Sequence, residues 1–72
     1  MIDSRGRRLF GKRLRELRTE RGLSQEQLAD LAGLHRNYIG NIERGEQGIG
    51  IDNVMRLART LKVKPAVLFD KF

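Results

Sequence analysis

The feature that most limits what this chain can fold into is a short break in helical periodicity at Gly33. Apolar residues recur at spacings of three and four on both sides of it, with Leu28 and Ala32 before and Ile39 and Ile42 after, and only Gly33, Leu34 and at most His35 separate the two runs. Helices joined this tightly must cross at a steep angle. A small residue is needed where they touch, which Ala29 supplies, and Gly33 can take the positive φ of the turn. Two helices this short are marginal in isolation, so the pair has to be packed on others.

The remaining sequence supplies those helices. Pro65 is the only proline, and no stretch alternates with a period of two, so the chain reads as all-α with five helices and short connections. The first runs from about Arg7 to Arg21, with Phe10, Leu14 and Leu17 as its inward stripe, Arg8, Lys12 and Arg15 on the opposite face, and Gly22 as its left-handed stop. The second has Ser24 as N-cap with Gln27 completing a capping box, and ends at Ala32. The third begins at His35 or Arg36 and ends at Arg44, with Gly45 beyond it. After a glycine-rich loop (Gly45, Gly48, Gly50), the fourth turns Ile51, Val54, Leu57, Ala58 and Leu61 inward, and Pro65 opens a fifth, Ala66 to Phe69. Residues 1–72 form one domain with no linker or repeat, and the helix pair spans about residues 24–44.

Charge narrows the function. Fifteen Lys and Arg against nine Asp and Glu give +6, and the excess is uneven: residues 1–22 hold eight basic and three acidic side chains (+5), against seven and six (+1) in the rest. Such a balance favours a polyanionic partner, with a merely solvated helix face as the bland alternative. No apolar run is long enough to span a membrane, and the arginine-rich start does not fit a secretory signal, so the chain is expected in the cytoplasm, associated with the nucleoid. There is no cysteine and one histidine, so no metal site or cofactor is expected. No nucleophile with a base, no paired carboxylates and no phosphate loop point to an enzyme, and no small-molecule site is evident. Glu16 and Glu20 are matched more simply by neighbouring Arg13 and Arg21.

The segment Leu23-Ser24-Gln25-Glu26-Gln27-Leu28-Ala29, with Gly33-Leu34, Tyr38-Ile39 and Ile42-Glu43-Arg44-Gly45, resembles the phage-repressor and Cro-like (Xre) helix-turn-helix family. The resemblance covers nearly the whole chain, and in length the restriction-modification controller proteins look most similar. It implies a lambda-repressor-like fold and a sequence-specific regulator of transcription that binds duplex DNA as a homodimer on a palindromic operator. It also implies a phosphate contact at Gln25. The chain departs from the family pattern at His35 and Gly50, where Ser or Thr is usual, at Glu46, where a basic residue is frequent, and at Ile49, where proline is frequent.

On a helical wheel the third helix turns Ile39 and Ile42 inward and sets Asn37, Gly40, Asn41 and Arg44 opposite, with Arg36 at the leading end. Arginine can donate a bidentate pair to guanine and asparagine matches adenine, so Arg36, Asn37 and Asn41 are the candidates for base contact. Gly40 would let the backbone approach a close surface. His35 and Tyr38 are candidates for phosphate contact, with a helix-starting role for His35 and a core-flanking role for Tyr38 as equal alternatives, and Arg44 is a further phosphate candidate. Arg18 and Glu43 flank the apolar stripes of their helices and are expected to form a partly buried ion pair, as the resemblance also implies. Met55, Val67, Leu68, Phe69 and Phe72 are more apolar surface than a short last helix can cover, and are the expected dimer interface. The competing functional class is a protein-interaction module of the same fold, such as an antitoxin or co-activator component meeting an acidic protein. RNA binding is third, because the four aromatics offer no stacking pair.

Overall fold

The computed structural model describes residues 5–72, so the first four residues of the expected domain, Asp3 among them, lie outside the described residues. The elements are α1 (Arg5–Glu20), α2 (Gln25–Ala32), α3 (Arg36–Glu43) and α4 (Ile51–Leu61), followed by a 3-10 turn at Pro65–Phe69, with no strand among the described residues. The expected fifth α-helix is therefore corrected to a 3-10 turn. Five residues that open on a proline are too few for a ladder of i→i+4 bonds, and the amides of Val67 and Asp70 instead reach back three residues, to Lys64 and Val67.

The four α-helices end alike. In each, an amide two or three residues past the helix bonds the carbonyl five residues back, as in Leu23 to Arg18 at 3.1 Å and Glu46 to Asn41 at 2.9 Å, and the residue before it is left-handed. Glycine holds that place after α1, α2 and α3, as the sequence leads one to expect. After α4 it is Lys62, at φ 60°, where a side chain costs about 1–2 kcal/mol. The Ser24 and Gln27 capping box is present in both directions, with bonds of 3.0 and 2.8 Å.

Core residues come from every element: Phe10, Leu14 and Leu17 of α1, Leu28, Ala29 and Ala32 of α2, Ile39 and Ile42 of α3, Val54, Leu57, Ala58 and Leu61 of α4, and Leu68 of the 3-10 turn. Two expectations are corrected by this list. Leu68 is fully enclosed, so it belongs to the core and not to a dimer surface. Ile51, expected inward, is 70% exposed, because the first position of α4 lies beyond the last core layer and lines an open apolar groove with Phe10, Ile49, Val54, Phe69 and Phe72.

Three arginines close the ends of elements from a distance. Arg21 Nε donates to the Leu61 carbonyl at the end of α4 (2.6 Å), and Arg56 Nη1 to the Ala32 carbonyl at the end of α2 (3.3 Å). Arg13 Nε donates to Val67 O at 3.0 Å and its guanidinium pairs with Asp70, tying the chain's end to α1. Each supplies a donor and a positive charge to a carbonyl at the C-terminal end of an element.

Gly11 fixes how closely α1 and α3 approach. A Cβ there would run into the backbone carbonyl of Ile42 and lie 2.7 Å from that of Glu43. Neither carbonyl can move without carrying α3 along, so this glycine sets the distance of α3 from α1. Gly11→Ala gains about 1 kcal/mol of helix propensity and loses more to overpacking against rigid backbone. The expected outcome is a net destabilisation of roughly 1–2 kcal/mol, read as a fall in melting temperature of about 5–15 °C. A variant as stable as the parent would contradict this close approach.

Candidate nucleic-acid interface

The exposed sides of α2 and α3 enclose a polar groove of about 690 Å³, lined by Arg18, Ser24, Gln25, Glu26, Arg36, Asn37, Gly40, Asn41 and Arg44. It exists because the turn at Gly33 splays the two helices while their inner faces converge on Leu28, Ala29, Ile39 and Ile42. The floor is held by an ion pair. Arg18 Nε and Nη2 donate to the two Glu43 oxygens at 2.6 and 2.9 Å, Arg18 Nη1 donates to Leu23 O at 2.8 Å, and Gln25 Nε2 donates to Glu43 Oε1 at 3.0 Å. Glu43 is 3% exposed and Arg18 10%. The hydrogen bonds that Arg18 donates to Glu43 raise its pKa above the ordinary value, against the lowering effect of burial, so the guanidinium stays charged in the folded protein.

Five of the residues singled out from the sequence share this groove: Gln25, Arg36, Asn37, Asn41 and Arg44. Arg36 and Asn37 are exposed, and Arg36 is held loosely, 3.8 Å from Glu26, with both side chains about two-thirds exposed. Asn41 is half-buried between Arg44 and Gln47, and Arg44 also pairs with Glu46 at 3.1 Å. Gln25 reaches across to Glu43 as described. The expectation for Gly40 is corrected: it is buried under neighbouring side chains, and an added Cβ would sit 3.1 Å from Arg44 Nη1 and 3.4 Å from Gln25 Oε1.

His35 and Tyr38 lie outside the groove. His35 is the exposed N-cap of α3, its Nδ1 accepting from the Asn37 amide at 3.2 Å, which leaves the proton of the neutral ring on Nε2. Tyr38 is half-buried against the core, its hydroxyl accepting from Asn53 Nδ2 at 3.0 Å, so it ties α3 to α4. Asn53 and Gln47 side chains were not anticipated, since a lone amide in a loop or on a helix face carries no pattern. Gly11 did carry one: a glycine inside an otherwise strong helix.

At the other end of the molecule, Met55 and Phe69 are each 40% exposed and Phe72 61%, while Val67 is half-buried. The rings are not loose: Phe69 packs on Phe10 at 5.3 Å and Phe72 on Phe69 at 5.5 Å. No group of His, Asp and Glu among the described residues could hold a metal ion, and no helix there is long and apolar enough to cross a membrane.

Removing the floor of the groove is expected to be costly. Glu43→Ala leaves a guanidinium enclosed without its counter-charge, an arrangement that costs about 3–5 kcal/mol. Thermal unfolding should show a large fall, and a melting temperature within a degree of the parent would contradict the structural weight given to this pair.

Comparison with known proteins agrees with this architecture. A protein-family model described as Helix-turn-helix (HTH_3) matches residues 14–68. Control protein C.BamHI from Bacillus amyloliquefaciens is 42% identical over 65 residues, covering 89% of this chain and 80% of that protein. Among solved structures, the restriction-modification controller protein C.AhdI from Aeromonas hydrophila superposes with a TM-score of 0.86 at 51% identity, covering 88% of this chain and 96% of that one. The biofilm master regulator SinR, solved in complex with DNA, superposes with a TM-score of 0.81 at 32% identity, covering 85% and 98%.

Proposed function

Because this chain belongs to the HTH_3 helix-turn-helix family, we propose that it is a sequence-specific, duplex-DNA-binding regulator of transcription of the restriction-modification controller type. The observation that carries the reading is the groove itself. One short helix presents an arginine and two asparagines beside a glutamine at the start of α2, with Glu26 the one acidic residue in the lining of the groove. A helix of this size fits the major groove, and these side chain types match the donor and acceptor patterns of guanine and adenine.

In this reading Arg36, Asn37 and Asn41 contact base edges. Gln25, His35, Tyr38 and Arg44 contact the backbone, with the amide end of α2 adding positive potential beside Gln25. His35 suits the role through its exposed ring, whose Nε2 carries the proton. Tyr38 suits it less well, because its hydroxyl is already engaged by Asn53. Arg36→Ala should lose about 1–3 kcal/mol on the preferred sequence and relax one operator position, whereas Gln25→Ala should weaken all duplexes alike. Affinity should also fall steeply with salt, with a slope in log–log form of about −0.9 for each phosphate neutralised. Binding measured across a salt series on specific and unrelated duplexes separates these effects. A flat salt response with no duplex preference would favour the protein-interaction alternative.

The functional unit is a symmetric homodimer joined through Met55, Phe69 and Phe72, with Val67 at the edge and Ile51 added by its exposure. A single recognition helix reads too few base pairs to single out a site, and a two-fold axis at this patch would set two such helices about 34 Å apart, one helical turn of DNA. Met55→Glu should shift the chain to monomer in sedimentation equilibrium at micromolar concentration and reduce protection on DNA to a half-site. Monomer behaviour of the parent, with half-site protection, would refute the dimer.

A further inference from the structure

The loop after α3 carries a side chain to which base reading, as just proposed, assigns nothing. Gln47 Oε1 accepts from Asn41 Nδ2 at 3.1 Å, Asn41 Oδ1 accepts from Arg44 Nη2 at 2.6 Å, and Arg44 Nε pairs with Glu46 Oε2 at 3.1 Å. The four side chains form one continuous array, in which Asn41 and Arg44 line the polar groove and Gln47 lines the neighbouring apolar one. Its polarity is fixed by chemistry. A guanidinium has only donors, so the Asn41 atom facing Arg44 is the oxygen, and the nitrogen is left to face Gln47, which answers with its own oxygen. Turning the Asn41 amide over would set donor against donor at Arg44, and the Gln47 amide would have to turn with it to keep its own contact.

The backbone holds the array in place. The Glu46 amide bonds Asn41 O at 2.9 Å and the Gly45 amide bonds Ile42 O at 3.0 Å, so the residues just before Gln47 are clamped to the last turn of α3. Gly40 leaves the space over which Arg44 folds back towards Asn41, since a Cβ there would press on the guanidinium.

A carboxamide has two N–H hydrogens and two oxygen lone pairs. The array uses one of each and leaves one donor and one acceptor side by side. That pair complements adenine, which offers an acceptor at N7 and a donor at N6. Guanine offers acceptors at both N7 and O6, so a fixed carboxamide would bring its oxygen against O6 with no proton between them.

We infer that Gln47 is a specificity-determining positioning residue: with Arg44 setting which end of the Asn41 carboxamide is the oxygen, the hydrogen bond to Gln47 holds that group in the place where it accepts adenine and rejects guanine. The inference rests on the base-reading role proposed above for Asn41. Gln47 touches no base in this scheme and works only through its neighbour.

The test uses the wild-type chain, Gln47→Met, which keeps the length and loses the acceptor, and Gln47→Glu, which keeps the acceptor. Selection from a randomised duplex pool with the wild type gives the preferred sequence. Competition binding then compares that duplex, each single A·T to G·C replacement in it, and an unrelated duplex, with Asn41→Ala identifying the pair that Asn41 reads. The wild type is expected to prefer A·T over G·C there by about tenfold, the order of one bidentate contact. Gln47→Met should bring that ratio to within about twofold at that pair alone and leave binding to the unrelated duplex unchanged. Gln47→Glu should keep the ratio while its charge weakens all duplexes. If Gln47→Met keeps the discrimination that Asn41→Ala loses, or weakens every duplex equally, the inference falls and the function stands. If the wild type selects no sequence, or Asn41→Ala loses no position, the base-reading assignment falls with it.

Discussion

The arrangement of this domain depends on the pair formed by Arg18 and Glu43. Three elements and a turn meet there: α1 supplies the guanidinium, α3 the carboxylate, α2 the Gln25 amide, and the turn after α1 the Leu23 carbonyl. Enclosing two charges is costly, and a pair of this kind is stabilising only when its geometry is close to ideal and its remaining donors and acceptors are met. Here a bidentate contact and two further bonds meet that condition, and no buried side-chain nitrogen or oxygen among the described residues lacks a partner. What the pair supplies beyond stability is angle. Apolar contacts between α1 and α3 are non-directional, whereas two parallel N–H to oxygen bonds hold α3 in one rotation and so decide which of its side chains face outward.

Given that rotation, the distance is set by Gly11, where backbone approaches backbone. The two constraints act together on α3, one fixing its roll and the other its height. The consequence is that the outer face of α3, proposed above to read bases, is largely in order by itself: Asn41 is bonded on both sides, Gln25 donates to Glu43, and Arg36 and Asn37 are the more exposed. A preordered face loses little conformational freedom on binding, which favours discrimination between similar sequences.

The basic composition serves two ends. Arg13 and Arg18 of α1, Arg21 just after it, and Arg56 of α4 each donate to a backbone carbonyl of another segment of the chain, so part of the charge excess of the N-terminal third stabilises the fold. Lys12 and Arg15, on the exposed side of α1, remain for long-range attraction to a polyanion. Composition could not separate the two uses, because an arginine that caps a helix and one that faces solvent are the same letter at the same helical spacing.

How much was legible follows from the range of the interactions involved. The helix boundaries, the capping box at Ser24 and Gln27, and the stops at Gly22, Gly33 and Gly45 are local: each depends on residues within about one turn, so the sequence by itself determined them. The inward stripes of α1 and α3 are equally local, a matter of period. Lys62 escaped because a left-handed lysine has no signature, and the last segment became a 3-10 turn because five residues cannot close enough i→i+4 bonds. The rest was decided by the tertiary structure. Leu68 is core and Ile51 is exposed although both sit at apolar positions of short elements, because burial depends on where neighbouring elements end. Gly40 lies under Arg44, Tyr38 is bonded to Asn53, and Asn41 is gripped by Gln47. Each of these is a meeting of side chains from different turns or elements, and a one-dimensional pattern fixes which residues can face one another only after the packing of the helices has fixed the distances between them.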